Sequence, residues 1–123
     1  MAALKRTELT LGEVARVLEA SFVFGGPFEE RRVAVVCGMD LMSDVLSLRR
    51  RAQLLLTGLT TAQAVRTAEL SDIPAVCYVD GKRPAEEAVD LARENGIALM
   101  ATRFSMFTAC GKLAAAGLVG GDA

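Results

Sequence analysis

The chain of 123 residues contains no histidine and no tryptophan, and it has only three prolines and three cysteines. Histidine is the side chain that most often serves as a general base or metal ligand, so its absence argues against catalysis and against a metal or other cofactor. The cysteines, Cys37, Cys77 and Cys110, are odd in number and widely spaced. This pattern favours free thiols in a reducing compartment, and we expect a cytoplasmic protein.

The chain also lacks an excess of charge of either sign. Fourteen basic residues stand against fifteen acidic ones, for a net charge of −1. This balance gives no electrostatic footprint for nucleic acid or an anionic membrane, and no apolar run is long enough to span a bilayer, so we expect neither partner. The one basic cluster, residues 49–51, is interpreted as a solvated helix end, and the alternative is a patch for an anion or a protein partner.

What the sequence does contain is a repeated alternation of a short apolar run, a turn and a helical pattern. Apolar runs at residues 33–37, 54–56, 75–79 and 97–101 predict buried strands, and residues 21–24 are a further strand candidate of open direction. The pattern predicts one α/β domain over residues 1–123, with a mostly parallel sheet of 4–5 strands and helices on both faces. We expect residues 54–56 at the centre, residues 1–9 as a lead-in and residues 117–123 as a frayed tail.

Local signals predict where the helices begin. Thr10 with Glu13, and Thr60 with Gln63, have the spacing of capping boxes. Asp40 is interpreted as the cap of the helix that follows it.

Spacing also predicts which helical residues face inward. In the helix after Asp40, the inward residues are expected to be Leu41, Val45 and Leu48. In the last helix, the stripe is expected to be Phe107, Cys110 and Ala114. The residues read as core near that helix are Met100, Phe104, Met106 and Phe107, although some could equally line a dimer seam because Gly111 and the neighbouring alanines allow close approach.

Four segments resemble the short, free-standing members of the DRTGG domain family. They are residues 38–46 (GMDLMSDVL), 54–69 (LLLTGLTTAQAVRTAE), 79–84 (VDGKRP) and 105–113 (SMFTACGKL). The resemblance runs over residues 33–117, and the helix-first N-terminus at residues 9–20 also fits it.

The resemblance implies a regulatory α/β module similar to the N-terminal domain of HPr kinase and to the DRTGG insert of CBS-domain pyrophosphatases. Such domains are accessory and often dimeric, and no general catalytic residue is assigned to them. The Asp-Arg and Thr-Gly-Gly elements that name the family are not intact here, because Leu59 follows Thr57-Gly58 and the second turn reads Asp80-Gly81-Lys82.

Ligands of an open parallel sheet bind beyond the carboxyl ends of its strands. Three helix N-termini gather at that edge, and together with two basic residues they suit a nucleotide or another small anion. The alternative is that the Thr, Ser and Asp residues there are caps and the glycines are turns. The candidate ligand-binding residues are Asp40, Thr57, Gly58, Thr60, Asp80, Gly81, Lys82, Arg83, Thr102 and Ser105.

The leading functional hypothesis is a non-catalytic regulatory or interaction module that forms a homodimer. It would sense a small anion such as a nucleotide, or serve a protein partner in a regulatory complex. One alternative is a small enzyme acting on phosphate or acyl groups through Lys82, Arg83 and Thr57. Another alternative is a purely structural adaptor of a larger complex.

Overall fold

The computed structural model describes residues 8–24 and 26–122. In chain order the elements are β1 (Leu9–Thr10), α1 (Leu11–Leu18), β2 (Ser21–Phe24), a short 3-10 helix (Gly26–Glu30), β3 (Arg32–Val33), β4 (Val35–Gly38), α2 (Met42–Leu46), β5 (Leu54–Thr57), α3 (Ala62–Leu70), β6 (Ala75–Tyr78), α4 (Glu86–Asn95), β7 (Ala98–Ala101), α5 (Met106–Ala115) and β8 (Val119–Gly120). Within the described residues, no helix is both long and apolar enough to cross a membrane.

The main sheet has six strands in the order β2-β7-β6-β5-β4-β8. All neighbours pair in parallel except β2, which runs antiparallel to β7. The predicted α/β class with a mostly parallel sheet is therefore confirmed, and the direction left open for residues 21–24 is antiparallel. Leu54, Leu55 and Leu56 are fully buried in β5, as expected for a central strand. The strands β1 and β3 form a separate antiparallel pair.

Helices cover both faces of the sheet. The α2–α4 face carries α2, α3 and α4, and its core includes Leu55, Val76 and Leu99. The α1–α5 face carries α1 and α5, and its core includes Leu54 and Leu56. Alternate residues of a strand point to opposite faces, which is why the same apolar run supplies both cores. The helix α5 leads the chain back across the sheet and places β8 beside β4.

The tail expected to be frayed is in part ordered. Val119 pairs with Val35 and Gly120 with Val36, so the expectation is wrong for these two residues. Backbone bonds hold them: the Val119 N–H donates to the Ala34 carbonyl at 3.1 Å. Of the predicted lead-in, residues 1–7 lie outside the described residues, whereas Leu9 belongs to β1.

The two capping boxes have opposite outcomes. The box of Thr10 and Glu13 is confirmed at the start of α1, with both reciprocal bonds present. The prediction of a capping box at Thr60 and Gln63 is wrong, because α3 begins at Ala62 and its cap residue, Thr61, makes no side-chain hydrogen bond. Instead, the carbonyl of Thr60 accepts a hydrogen bond from the Ala85 N–H at 2.9 Å, which ties it to the start of α4.

The inward faces of α2 and α5 also differ from expectation. Because α2 begins only at Met42, its buried residues are Met42 and Val45, and Leu41 is 62% exposed. In α5 the residues against the sheet are Ala109 and Leu113, and Phe107 is 88% exposed rather than part of the core. The other predicted core residues of this region are buried (Met100) or half-buried (Leu48, Phe104, Met106).

Candidate functional site

Asp40 fastens the loop after β4 to the loop after β5. Its Oδ1 accepts hydrogen bonds from the Thr57 hydroxyl at 3.0 Å and from the Gly58 N–H at 2.7 Å. The Thr57 hydroxyl in turn accepts from the Leu59 N–H at 3.1 Å. The interpretation of Asp40 as a helix cap is therefore wrong. Its carboxylate binds the residues at the end of β5, and the cap residue of α2 is Leu41, which makes no side-chain hydrogen bond.

Lys82 reaches the same place from the loop after β6. A β-carbon built on Gly58 would lie 3.3 Å from the Nζ atom of Lys82 and 3.6 Å from Oδ1 of Asp40. The ammonium and the carboxylate thus both border Gly58, and a β-carbon there would be in tight contact with the ammonium and in ordinary contact with the carboxylate. The next helix, α3, begins four residues beyond Gly58 and has no side-chain cap. Its first N–H groups are left for solvent or an anion.

The Asp80-Gly81 turn closes the edge between β6 and β7. Both residues have positive φ, 62° and 70°, and the Lys82 N–H donates to the Val79 carbonyl, as in a type I′ turn. The Asp80 N–H donates to the Phe104 carbonyl at 2.8 Å, and the Gly81 N–H donates to the Thr102 carbonyl at 2.9 Å. The helices that follow β6 and β7 lie on opposite faces of the sheet. Ligands of such sheets usually bind in the crevice between two strands of this kind. Here the backbone hydrogen bonds of Asp80 and Gly81 bridge that crevice.

Thr102 and Ser105 have structural partners. The buried hydroxyl of Thr102 donates to the Leu18 carbonyl at 2.7 Å and so anchors the end of α1 to the end of β7. Ser105 caps α5 by accepting a hydrogen bond from the Thr108 N–H at 3.2 Å, which confirms one of its two expected roles.

The structure therefore brings four of the ten candidates together: Asp40, Thr57, Gly58 and Lys82. Arg83 is exposed beside Lys82, and within residues 8–24 and 26–122 its side chain has no hydrogen bond or ion pair. The other candidates serve as turn, cap or anchor. A ligand role for any of the ten stays a prediction.

The three thiols are poor nucleophiles at neutral pH. Burial raises the pKa of Cys77 to about 12, and burial together with the charge of Cys110 raises the pKa of Cys37 to about 11. Burial also raises the pKa of Cys110, which is half-buried. Because the thiolate is the reactive form, the raised pKa values mean that these cysteines act as small apolar side chains rather than as nucleophiles.

One polar group in the core has no partner among the described residues, the hydroxyl of Tyr78 on β6. Burial, and then the nearby Cys77, raise the pKa of this phenol. It stays neutral at physiological pH and is packed among apolar residues of the α2–α4 face.

Sequence reasoning missed a cavity of about 370 Å³ between β4, α5 and β8. It depends on β8, which was not predicted, so no local signal could have located it. The lining residues are mostly apolar or glycine: Val36, Cys37, Gly38, Met39, Cys110, Leu113, Ala114, Leu118, Val119, Gly120, Gly121 and Asp122.

The chain is similar to known proteins in its fold. No family model and no curated protein sequence matches this chain. A solved structure does: the CBS and DRTGG domains of the regulatory region of Clostridium perfringens pyrophosphatase, in complex with the activator diadenosine tetraphosphate. The TM-score is 0.70 and the identity 17%, over 87% of this chain and 46% of that one. The fold predicted from the sequence resemblance is thereby confirmed: the chain has a DRTGG-like fold.

Proposed function

We propose that this chain is a non-catalytic regulatory module that forms a homodimer and senses a small anion, such as a nucleotide, at the carboxyl edge of its sheet. One observation carries the proposal. The Asp40 carboxylate and the Thr57 hydroxyl are engaged inside the protein, whereas the cationic groups of Lys82 and Arg83 stand at the surface. Such an edge offers charge and backbone dipoles to a ligand, and it offers few groups for chemistry.

The contact at Gly58 gives a route from ligand to protein. A phosphate held by the Lys82 ammonium would bring negative charge close to the Asp40 carboxylate, because both groups border Gly58. Asp40 is also the acceptor for Thr57 and Gly58, so this repulsion would reach the connections that follow both β4 and β5. Binding would then change a loop without any covalent step.

The relative of known structure supports the regulatory part of the proposal. It is the regulatory region of an enzyme, and its complex contains a nucleotide activator. The outer face of α5 supports self-association, because the exposed Phe107 lies there with the small exposed residues Gly111, Ala114 and Ala115, and contiguous apolar patches mark interaction sites.

A binding screen tests the ligand proposal. The probes are ATP, diadenosine tetraphosphate and inorganic pyrophosphate, and the measurement is the thermal unfolding midpoint followed by titration calorimetry. A ligand at a hundred times its Kd stabilises the folded state by about 2.7 kcal/mol, which raises the midpoint clearly. We expect at least one probe to do so.

Two double variants locate the site. We expect Lys82→Ala with Arg83→Ala to abolish the shift, because it removes both exposed cations of the edge. The matched control, Arg50→Ala with Arg51→Ala, removes two exposed cations from the cluster at residues 49–51 and should keep the shift. The reverse result would move the anion site to that cluster, and a flat response to all probes would favour a structural adaptor.

A further inference from the structure

The outward face of α5 is apolar and uncovered in the single chain. Phe107 is 88% exposed, and Gly111, Ala114 and Ala115 are also exposed. Lys112 is the one charged residue in the helix, and its Nζ atom lies 4.9 Å from the centre of the Phe104 ring. The helix thus presents a large aromatic ring to solvent on a surface with almost no charge, which is the composition of an interface core.

A depression lies next to this protruding ring. The cavity of about 370 Å³ is bounded on one side by Cys110, Leu113 and Ala114 of the same helix, and its other walls come from β4, β8 and their flanking residues. Its lining is mainly apolar, and its one charged residue, Asp122, is exposed, so an aromatic side chain could enter the cavity among the apolar residues while Asp122 stays in contact with solvent. One helix therefore carries both a protrusion and a matching hollow.

The spacing of these features around Gly111 is symmetric. Phe107 lies about 6 Å along the axis before Gly111, and Ala114 and Ala115 lie about 4.5 Å and 6 Å after it. In two antiparallel helices related by a two-fold axis at residue 111, each residue on one side faces its counterpart on the other. Phe107 of one copy then meets Ala114 and Ala115 of its partner, beside the mouth of the cavity.

We propose that a second copy of this chain covers this face, with the two α5 helices antiparallel across a two-fold axis at Gly111 and each Phe107 in the other copy's cavity. The inference rests on the homodimer of the proposed function and adds its interface. Gly111 permits the approach, since a β-carbon built there meets no described atom within 4 Å. The arrangement is isologous, so the same patch serves both copies and the assembly closes as a dimer.

The first test is the mass of the wild-type protein and two variants by sedimentation velocity at micromolar concentration. We expect a dimer for the wild type and a dimer weakened at least tenfold for Gly111→Gln and for Phe107→Ser. Gly111→Gln should still fold, because its side chain enters open space and glycine is the poorest helix former after proline. The control Leu70→Ser, at a 69% exposed leucine of α3 on the α2–α4 face, should remain dimeric.

A crosslink tests the axis directly. In a Cys110→Ser background, Gly111→Cys places one thiol on the two-fold axis, and oxidation by copper phenanthroline should join two chains through it. Glu94→Cys in the same background puts an exposed thiol on α4 and should give no crosslink. A dimeric wild type whose variants stay dimeric and uncrosslinked would overturn this interface and leave the homodimer standing. A monomeric wild type would overturn the homodimer itself.

Discussion

The helices α4 and α5 are both ten residues long and cover opposite faces of the same sheet, yet their outer surfaces differ. The exposed residues of α4 include five charged side chains: Glu86, Glu87, Asp90, Arg93 and Glu94. The exposed residues of α5 include one, Lys112, along with Phe107 and three small residues. Both helices bury small or aliphatic residues against the sheet. Packing on a sheet thus determines the residue types only on the inner side of a helix. The residue types on the outer side depend on its other surroundings, such as solvent or another protein surface.

The largest expected effect concerns the inner sides. Leu113 of α5 is 1% exposed, whereas Leu91 of α4 is half-buried. We expect Leu113→Ala to lower the free energy of unfolding by about 2–5 kcal/mol through lost burial and a cavity. Leu91→Ala should cost less. Urea titration of both variants measures the two changes in the free energy of unfolding. Equal changes would show that both helices contribute equally to stability through these leucines.

The next effect compares one thiol from each face of the sheet, Cys37 on the α2–α4 face and Cys77 on the α1–α5 face. Both pKa values are raised, to about 11 and about 12, from the usual 9.0. The unfolded chain therefore loses these protons first, and the stability they provide is complete below pH 9 and falls as the pH rises toward 11 and 12.

The expected slope is about 1.4 kcal/mol per pH unit for each thiol above pH 9. Urea midpoints from pH 7 to pH 10 measure this slope. The range ends at about pH 10 because the Tyr78 phenol begins to titrate there in the unfolded chain and would add its own contribution. Cys37→Ala and Cys77→Ala should each lower the slope by about 1.4 kcal/mol per pH unit, and a part due to Cys110, whose pKa is also raised, should remain when both are replaced. A stability that stays level up to pH 10 would contradict the raised pKa values.

The smallest effect concerns the helix starts. Ser105 caps α5 with its side chain, whereas the cap of α4 is Ala85, which has extended backbone and no side-chain acceptor. We expect Ser105→Ala to destabilise the protein by about 1 kcal/mol and Ala85→Ser to stabilise it by a similar or smaller amount. The thermal unfolding midpoint should fall in Ser105→Ala and rise in Ala85→Ser. If the midpoint fell in both variants, the packing of Ala85 would matter more than the missing cap.

The sequence was sufficient for elements with strong local signals. Continuous apolar runs identified β5 and β6, since strands buried on both faces leave little room for polar residues. The capping box at Thr10 succeeded because both partners lie within one helical turn. For α5, spacing located the helix but did not identify the side that faces the sheet, because Phe107 and Leu113 are equally apolar.

The site depended on contacts that no local pattern encodes. Asp40 has the type and position of a helix cap, but its acceptor atom binds Thr57 and Gly58, seventeen and eighteen residues further along. The short strand β8 contains Val119 and a glycine, a weak strand signal, and is held by backbone pairing with β4. The cavity beside it could be found only once that pairing was known.

The pairing of β8 with β4 has a consequence for biosynthesis. Val35 leaves the ribosome long before Val119, its partner, has been made. Until then one border of β4 has unsatisfied backbone groups, and such a border can recruit a strand from another molecule. Contacts between distant segments also form late, because closing a long loop costs entropy before it yields any contact. The nascent chain therefore has an unpaired strand edge at β4 until Val119 and Gly120 have been made.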